Sequence, residues 1–184
     1  RCRPPRFHAP REPVRALLER VQPRASAAVQ TLLDGAARQS QGRQHAETLW
    51  HGLIQADRAM KEFRRGFLGK HSPVHVFWGG FDLAATRFSG RPAPRHPGGA
   101  PNCADWVMVE AYSREVSSAG WWPRSEAPGP SFYSYTYPEP DGYPNATVGP
   151  AGAFYDTKLG EFVLPYDEVR SAANPDAALQ EFLQ

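Results

Sequence analysis

The sequence is poor in cysteine and contains no long apolar run. Its only two cysteines, Cys2 and Cys103, fit neither a disulfide framework nor a metal-binding pair, and both are expected to be free thiols. No stretch of eighteen apolar residues and no signal-peptide pattern occurs, so we predict a cytoplasmic protein without a membrane segment. No Walker or dinucleotide glycine pattern is present, so the sequence predicts no cofactor. No Gly-x-Ser-x-Gly motif is present either, so it predicts no nucleophilic serine.

Positive charge is concentrated at the start of the chain. Residues 1–43 hold nine arginines and three acidic residues, a net charge of +6. The other 141 residues hold twelve basic and sixteen acidic side chains, a net charge of −4. The body of the protein therefore lacks the basic surface that phosphate backbones require, and we expect no nucleic-acid partner.

A change in composition divides the chain near residue 42. Residues 1–42 begin with an arginine and proline mixture and contain only weak helical patterns, which favours a disordered arm or non-native sequence. Residues 43–184 are expected to form a single α+β domain. The sequence contains no internal repeat.

An amphipathic helix is predicted from about residue 44 to residue 68. Its apolar residues are spaced alternately by four and three positions, which places them along one face. They are Leu49, Leu53, Ala56, Met60, Phe63 and Phe67. This face needs a partner surface.

A β-hairpin is predicted directly after the helix. Two β-rich runs flank Gly79-Gly80, a dipeptide suited to a two-residue turn. The resulting register pairs Val76 with Leu83 on the side that receives the helix. It places His75 and Asp82 together on the opposite side, diagonal to each other.

The rest of the sequence predicts short elements separated by loops. These are a brief helix near Asn102, strands over 112–121 and 132–137, a hairpin around Asp156 and Gly160, and a C-terminal helix starting at Asn174. Because the strands come in hairpins, we predict an α+β fold. Its antiparallel sheet is packed by the long amphipathic helix and followed by a C-terminal helix.

Several motifs resemble a bacterial domain-of-unknown-function family, numbered five-nine-nine-six. Examples are Ser72-Pro73-Val74-His75 and Tyr137-Pro138-Glu139-Pro140. The similar segments are 55–58, 61–63, 72–75, 77–79, 81–83, 86–91, 94–99, 111–113, 115, 118–120, 132–135, 137–140, 159–162 and 164–166. The resemblance spans about residues 43–184 and corresponds to the C-terminal half of the family pattern. The N-terminal half of that pattern is β-rich, and residues 1–42 do not resemble it. It implies the fold and a bacterial origin, but no chemistry.

The strongest catalytic hypothesis rests on His75 and Asp82. A carboxylate beside an imidazole can fix its tautomer and prepare it to act as a base. The alternative is a half-exposed cross-strand pair with no function.

Four further residues are predicted to bind a ligand beside this pair. They are Arg87, His96, Glu115 and Tyr135. His96 is in a loop that can reach over a pocket, and Glu115 lies among small side chains that leave room for a ligand. Glu115 can equally form an ion pair with Arg87 or Arg114.

Three functions remain open at this point. The preferred one is a pocket for an unknown small molecule, with or without catalysis, on the antiparallel sheet. The second is an interaction half-domain that docks a β-rich half or a second copy of the chain, which would make it a homo-oligomer. The third is a metal-assisted hydrolase using His75, Asp82, His96 and Glu115, although their spacing matches no metal motif.

Overall fold

The computed structural model describes residues 42–77, 80–99, 103–123 and 129–184. The predicted arm, except for Gly42, and part of the Gly79-Gly80 turn lie outside these ranges. In the described residues the elements are α1 (Gly42–Arg65), β1 (His75–Phe77), β2 (Asp82–Pro92), α2 (Asp105–Ala111), β3 (Arg114–Trp122), β4 (Ser131–Tyr137), a 3-10 turn (Tyr143–Asn145), β5 (Phe154–Asp156), β6 (Glu161–Pro165), α3 (Tyr166–Ser171) and α4 (Pro175–Leu183). None of these helices is both long and apolar enough to cross a membrane.

The described strands form one six-stranded antiparallel sheet in the order β1-β2-β3-β4-β6-β5. The helix α1 packs against β2 and β3, and also against α4. The predicted α+β fold is therefore confirmed, including its long packing helix and its C-terminal helix.

The predicted hairpin register is confirmed in the described residues. Val76 pairs with Leu83, Phe77 with Asp82, and His75 with Ala84. Because directly opposed residues share a face of the sheet, these pairs define two faces. We call the face that carries Leu83 and α1 the helix face, and the face that carries Asp82 the outer face.

The core lies between α1 and the helix face. Met60 is fully buried there, and Leu83, Trp121, Phe132 and Leu164 come from four strands of the sheet. The helix ends at Arg65, earlier than predicted, so Phe67 is not part of it.

The C-terminal helix starts as its sequence predicts. The Asn174 side chain accepts a hydrogen bond of 3.1 Å from the Ala177 amide, which caps the first turn. Asp176 then forms an ion pair with Arg58 of α1. This ion pair, together with buried Leu179 and Phe182, holds α4 against α1.

Candidate functional site

Asp82 and His75 share the outer face but form no hydrogen-bonded pair. Asp82 is buried, and its carboxylate accepts a hydrogen bond from the Tyr133 hydroxyl on β4. His75 is exposed, and its ring lies 4.2 Å from the ring of Phe77. The histidine therefore acts on Asp82 through its charge, while Tyr133 makes the direct contact.

Gly120 makes the contact between Tyr133 and Asp82 possible. Tyr133 and Asp82 lie on β4 and β2, with β3 between them, and Gly120 on β3 is paired with Tyr133. A Cβ atom at Gly120 would lie 2.5 Å from the Tyr133 hydroxyl oxygen. Because Gly120 has no side chain, the Tyr133 phenol has space to reach across β3 to Asp82. No local sequence pattern predicts this contact.

Burial raises the pKa of the Asp82 carboxyl above its ordinary value, and the Tyr133 hydrogen bond and the charge of His75 oppose this effect. The folded state therefore binds the proton more tightly than the unfolded state. Folding takes up a proton between the ordinary Asp pKa of 3.8 and the raised one. In that pH window the contribution of Asp82 to stability falls as pH rises.

We therefore expect a pH-dependent difference between wild type and Asp82→Asn. Asparagine still accepts the Tyr133 hydrogen bond but does not titrate. The free energy of unfolding of wild type minus that of the variant should decrease as pH rises above about 4 and level off above the raised pKa. Chemical denaturation across this range measures the difference. A flat or rising curve would show that Asp82 is not destabilised by its burial.

Tyr135 and His96 also belong to the outer face. The hydroxyls of Tyr135 and Tyr112 are hydrogen bonded at 2.7 Å, and burial raises the pKa of Tyr135 well above its ordinary value. The His96 ring lies 4.6 Å from that of Tyr112 and 5.0 Å from that of Tyr137. Its Nδ1 accepts a hydrogen bond from the Gly98 amide. The predicted loop histidine is therefore packed against an aromatic layer.

Arg87 lies on the helix face at the C-terminal end of α1. Its guanidinium carbon is 3.4 Å from the ring centroid of Phe63 and 5.3 Å from that of Phe67, and one Nη donates a hydrogen bond to the Phe63 carbonyl. Its Nε is buried without a hydrogen-bond partner. Burial lowers the pKa of Arg87, but an arginine stays charged at neutral pH.

A cleft of about 470 Å³ opens at this end of the sheet. Its floor includes Arg87, Ser117 and Thr136, which are paired in register across β2, β3 and β4 and so lie side by side. The full lining is Phe67, Arg87, Phe88, Ser89, Arg91, Glu115, Val116, Ser117, Thr136, Tyr137, Pro138 and Pro140. Arg87 also lines a second cleft of about 340 Å³.

Glu115 is in the larger cleft, but its partner differs from the predicted ones. It forms an ion pair of 2.6 Å with Arg91 and accepts a hydrogen bond of 2.8 Å from Ser89, in place of the expected Arg87 or Arg114. The reason is a register shift in β2 between Phe88 and Pro92. Both contacts, the Arg91 one first, lower the pKa of Glu115.

The structure does not bring all of the candidate residues together in one pocket. Arg87 and Glu115 lie in the cleft on the helix face, whereas His75, Asp82 and Tyr135 lie on the outer face with His96. The described residues contain no group of three or more His, Cys, Asp or Glu side chains placed to hold a metal ion. Sequence reasoning also missed Thr136 as a member of the cleft, and it did not predict the contact between Tyr133 and Asp82.

Comparison with known proteins gives one match. The model of the Family of unknown function (DUF5996) matches residues 25–184 of the chain. This confirms the resemblance found from the motifs, although the match starts before the expected residue 43. No curated protein and no solved structure is detectably similar to the chain.

Proposed function

Because the chain belongs to the DUF5996 family, whose function is not known, we propose its function from the geometry of its clefts. We propose that the protein binds a small anionic molecule in the cleft at the C-terminal end of α1, with Arg87 as the anchor. This retains the small-molecule pocket predicted from sequence and moves it to the helix face.

The electrostatic state of Arg87 carries the proposal. A half-buried guanidinium loses part of its hydration, which costs free energy unless an anion or several hydrogen bonds replace the water. No acidic side chain in the described part of the chain forms an ion pair with Arg87, and its Nε is buried without a partner. An anion in the cleft supplies the missing charge, since a guanidinium binds carboxylate and phosphate oxygens in a fixed geometry.

Two hydroxyl groups beside Arg87 support the same conclusion. Ser117 and Thr136 stand on the neighbouring strands, and adjacent strands are only about 5 Å apart. The Thr136 hydroxyl is buried without a hydrogen bond, although it lies close enough to the Tyr143 hydroxyl to influence that pKa. The register thus lines up Ser117 and Thr136 with the Arg87 cation, and a ligand oxygen that reached the buried Thr136 hydroxyl would supply a hydrogen bond there.

The alternative for Arg87 is a purely structural role. Its contacts with Phe63 fasten the end of α1 to the sheet, and this alone can justify the residue. The structural role and the anion-binding role predict different responses to the substitution of Arg87 by lysine. Lysine keeps the positive charge but loses the planar set of hydrogen-bond donors.

We expect Arg87→Met to reduce anion binding by about tenfold to a hundredfold, since charge-assisted hydrogen bonds are lost. Arg87→Lys should lose only about threefold to tenfold. Isothermal titration of the full chain with acetate, inorganic phosphate and 2-naphthoate measures these affinities. At least one anion should bind wild type saturably.

Thermal unfolding of the same variants without ligand provides the control. If Arg87→Met lowers the stability but binds the anions as wild type does, the role of Arg87 is structural. If none of the three anions binds wild type, the proposed function is wrong.

The functions assigned to the outer face stay predictions. These are the catalytic roles of His75 and Asp82 and the ligand contacts of His96 and Tyr135. The interaction half-domain also stays a prediction, and the oligomeric state of the chain in solution tests it.

A further inference from the structure

We infer that the ligand of the cleft is a monoanion with a flat apolar body, such as an aromatic carboxylate. This inference rests on the proposed function and specifies the ligand class. It follows from the chemistry of the cleft walls and from the sum of the charges that line the cleft.

The cleft walls are mostly apolar. The apolar residues Phe67, Pro138 and Pro140 contribute to them. A bare inorganic anion leaves these surfaces in contact with water, whereas a flat ring covers them, and burial of apolar area favours binding.

The charges on the described lining sum to one positive unit. Arg91 and Glu115 are ion paired and cancel each other. Arg87 has no acidic partner in the described residues, and its charge remains. A single negative charge on the ligand neutralises the cleft, while a second one leaves a net charge of −1 there and finds no cation of the lining that is free of an ion pair.

The fixed position of Glu115 strengthens this selection. Its carboxylate is held by Arg91 and Ser89, which lie on either side of Gly90 in β2. Gly90 has a φ of +84°, a conformation that glycine adopts readily and that allows both side chains to reach one carboxylate. Glu115 therefore cannot turn away from a dianion without losing these contacts.

Three naphthalene probes test the expected preference for a single negative charge, which we call the charge rule. They are 2-naphthoate with one charge, 2-naphthamide with none, and naphthalene-2,6-dicarboxylate with two. We expect wild type to bind the monoanion at least about tenfold more tightly than the amide, because the charge-assisted hydrogen bonds are absent from the amide. Among the anions of the first titration, 2-naphthoate should bind more tightly than acetate or inorganic phosphate.

Glu115→Gln is the decisive variant. Glutamine keeps an acceptor for Arg91 and Ser89 but removes the negative charge, so the lining becomes doubly positive. The affinity for the dicarboxylate relative to 2-naphthoate should rise by about threefold in this variant at low ionic strength. Asp167→Asn is the matched control, because Asp167 pairs with Arg170 on α3 and does not line the cleft. It changes the net charge equally but should leave this ratio unchanged.

The outcomes separate the two proposals. Binding of phosphate or acetate through Arg87, with 2-naphthoate no better, overturns the ligand class and leaves the anion site standing. An unchanged dicarboxylate ratio in Glu115→Gln, or equal shifts in Glu115→Gln and Asp167→Asn, also overturns the charge rule. Absence of all anion binding removes both proposals.

Discussion

Replacing Gly120 with alanine will lower the free energy of unfolding by about 3 kcal/mol, because the new methyl group has no space. Its Cβ atom would lie 2.5 Å from the Tyr133 hydroxyl oxygen and 2.7 Å from the backbone carbonyl oxygen of Leu83. A flexible side chain can move away, but the Leu83 carbonyl belongs to β2, and Leu83 is paired with β1 on one side and with β3 on the other. The strands must separate locally, and the Tyr133 hydroxyl must lose its hydrogen bond to Asp82.

Chemical denaturation of Gly120→Ala beside wild type measures this loss. Gly66→Ala is the matched control, because a Cβ atom at Gly66 meets nothing within 4 Å and no positive φ is required there. It should change the stability by less than about 0.5 kcal/mol, or raise it slightly. If the two variants are equally stable, Tyr133 does not pass over Gly120 in the way described.

Replacing Met60 with alanine will cost about 3 kcal/mol of stability for a different reason, the loss of buried volume. Met60 is fully buried between α1 and the sheet, in a cluster that includes Leu83 and Phe182. Its removal leaves a cavity that paired strands on one side and α1 on the other cannot easily fill. The loss should therefore be larger than the hydrophobic transfer energy of the missing atoms alone.

Two other variants define the scale of this effect. Met60→Leu nearly preserves the volume and should lose about 1 kcal/mol or less. Ile54 lies on the same helix and is 41% exposed. Ile54→Ala should therefore lose well under half as much stability as Met60→Ala. Equal losses for Met60→Ala and Ile54→Ala would mean that α1 is not docked through the face described.

The fold was predictable because its elements have strong local patterns. The apolar spacing from Leu49 to Phe63 predicts α1, and the position of Gly79-Gly80 in the sequence predicts the register of the first hairpin. Asn174 and Pro175 mark the start of α4. Each of these signals lies within a few residues of sequence, so a single sequence is sufficient to find it.

Strand alternation alone predicts that the candidate site residues are divided between the two faces of the sheet. Asp82 and Arg87 are separated by an odd number of positions on one strand, and successive strand residues point to opposite faces. Arg87 therefore shares the face of Leu83 and Ala85, which the hairpin register already gave to the helix. The same alternation places Glu115 and Val116 on opposite faces of β3.

Other contacts were not predictable because they depend on distant parts of the chain. Tyr133 reaches Asp82 across a whole strand, and only the position of Gly120 between them allows it. Glu115 pairs with Arg91 because a register shift in β2 changes which side chains lie opposite it. A bulge position of this kind is set by the paired strands together, so neither strand alone indicates it.

The most direct test of the proposed function is the NMR signal of the Arg87 side-chain Nε–H during titration with 2-naphthoate. Comparison with Arg87→Lys assigns this signal, and its burial without a hydrogen-bond partner makes it sensitive to an anion that binds the guanidinium. We predict that it shifts and saturates with the affinity measured by calorimetry. If 2-naphthoate binds while this signal stays unchanged, the anion is held elsewhere and Arg87 is not its anchor.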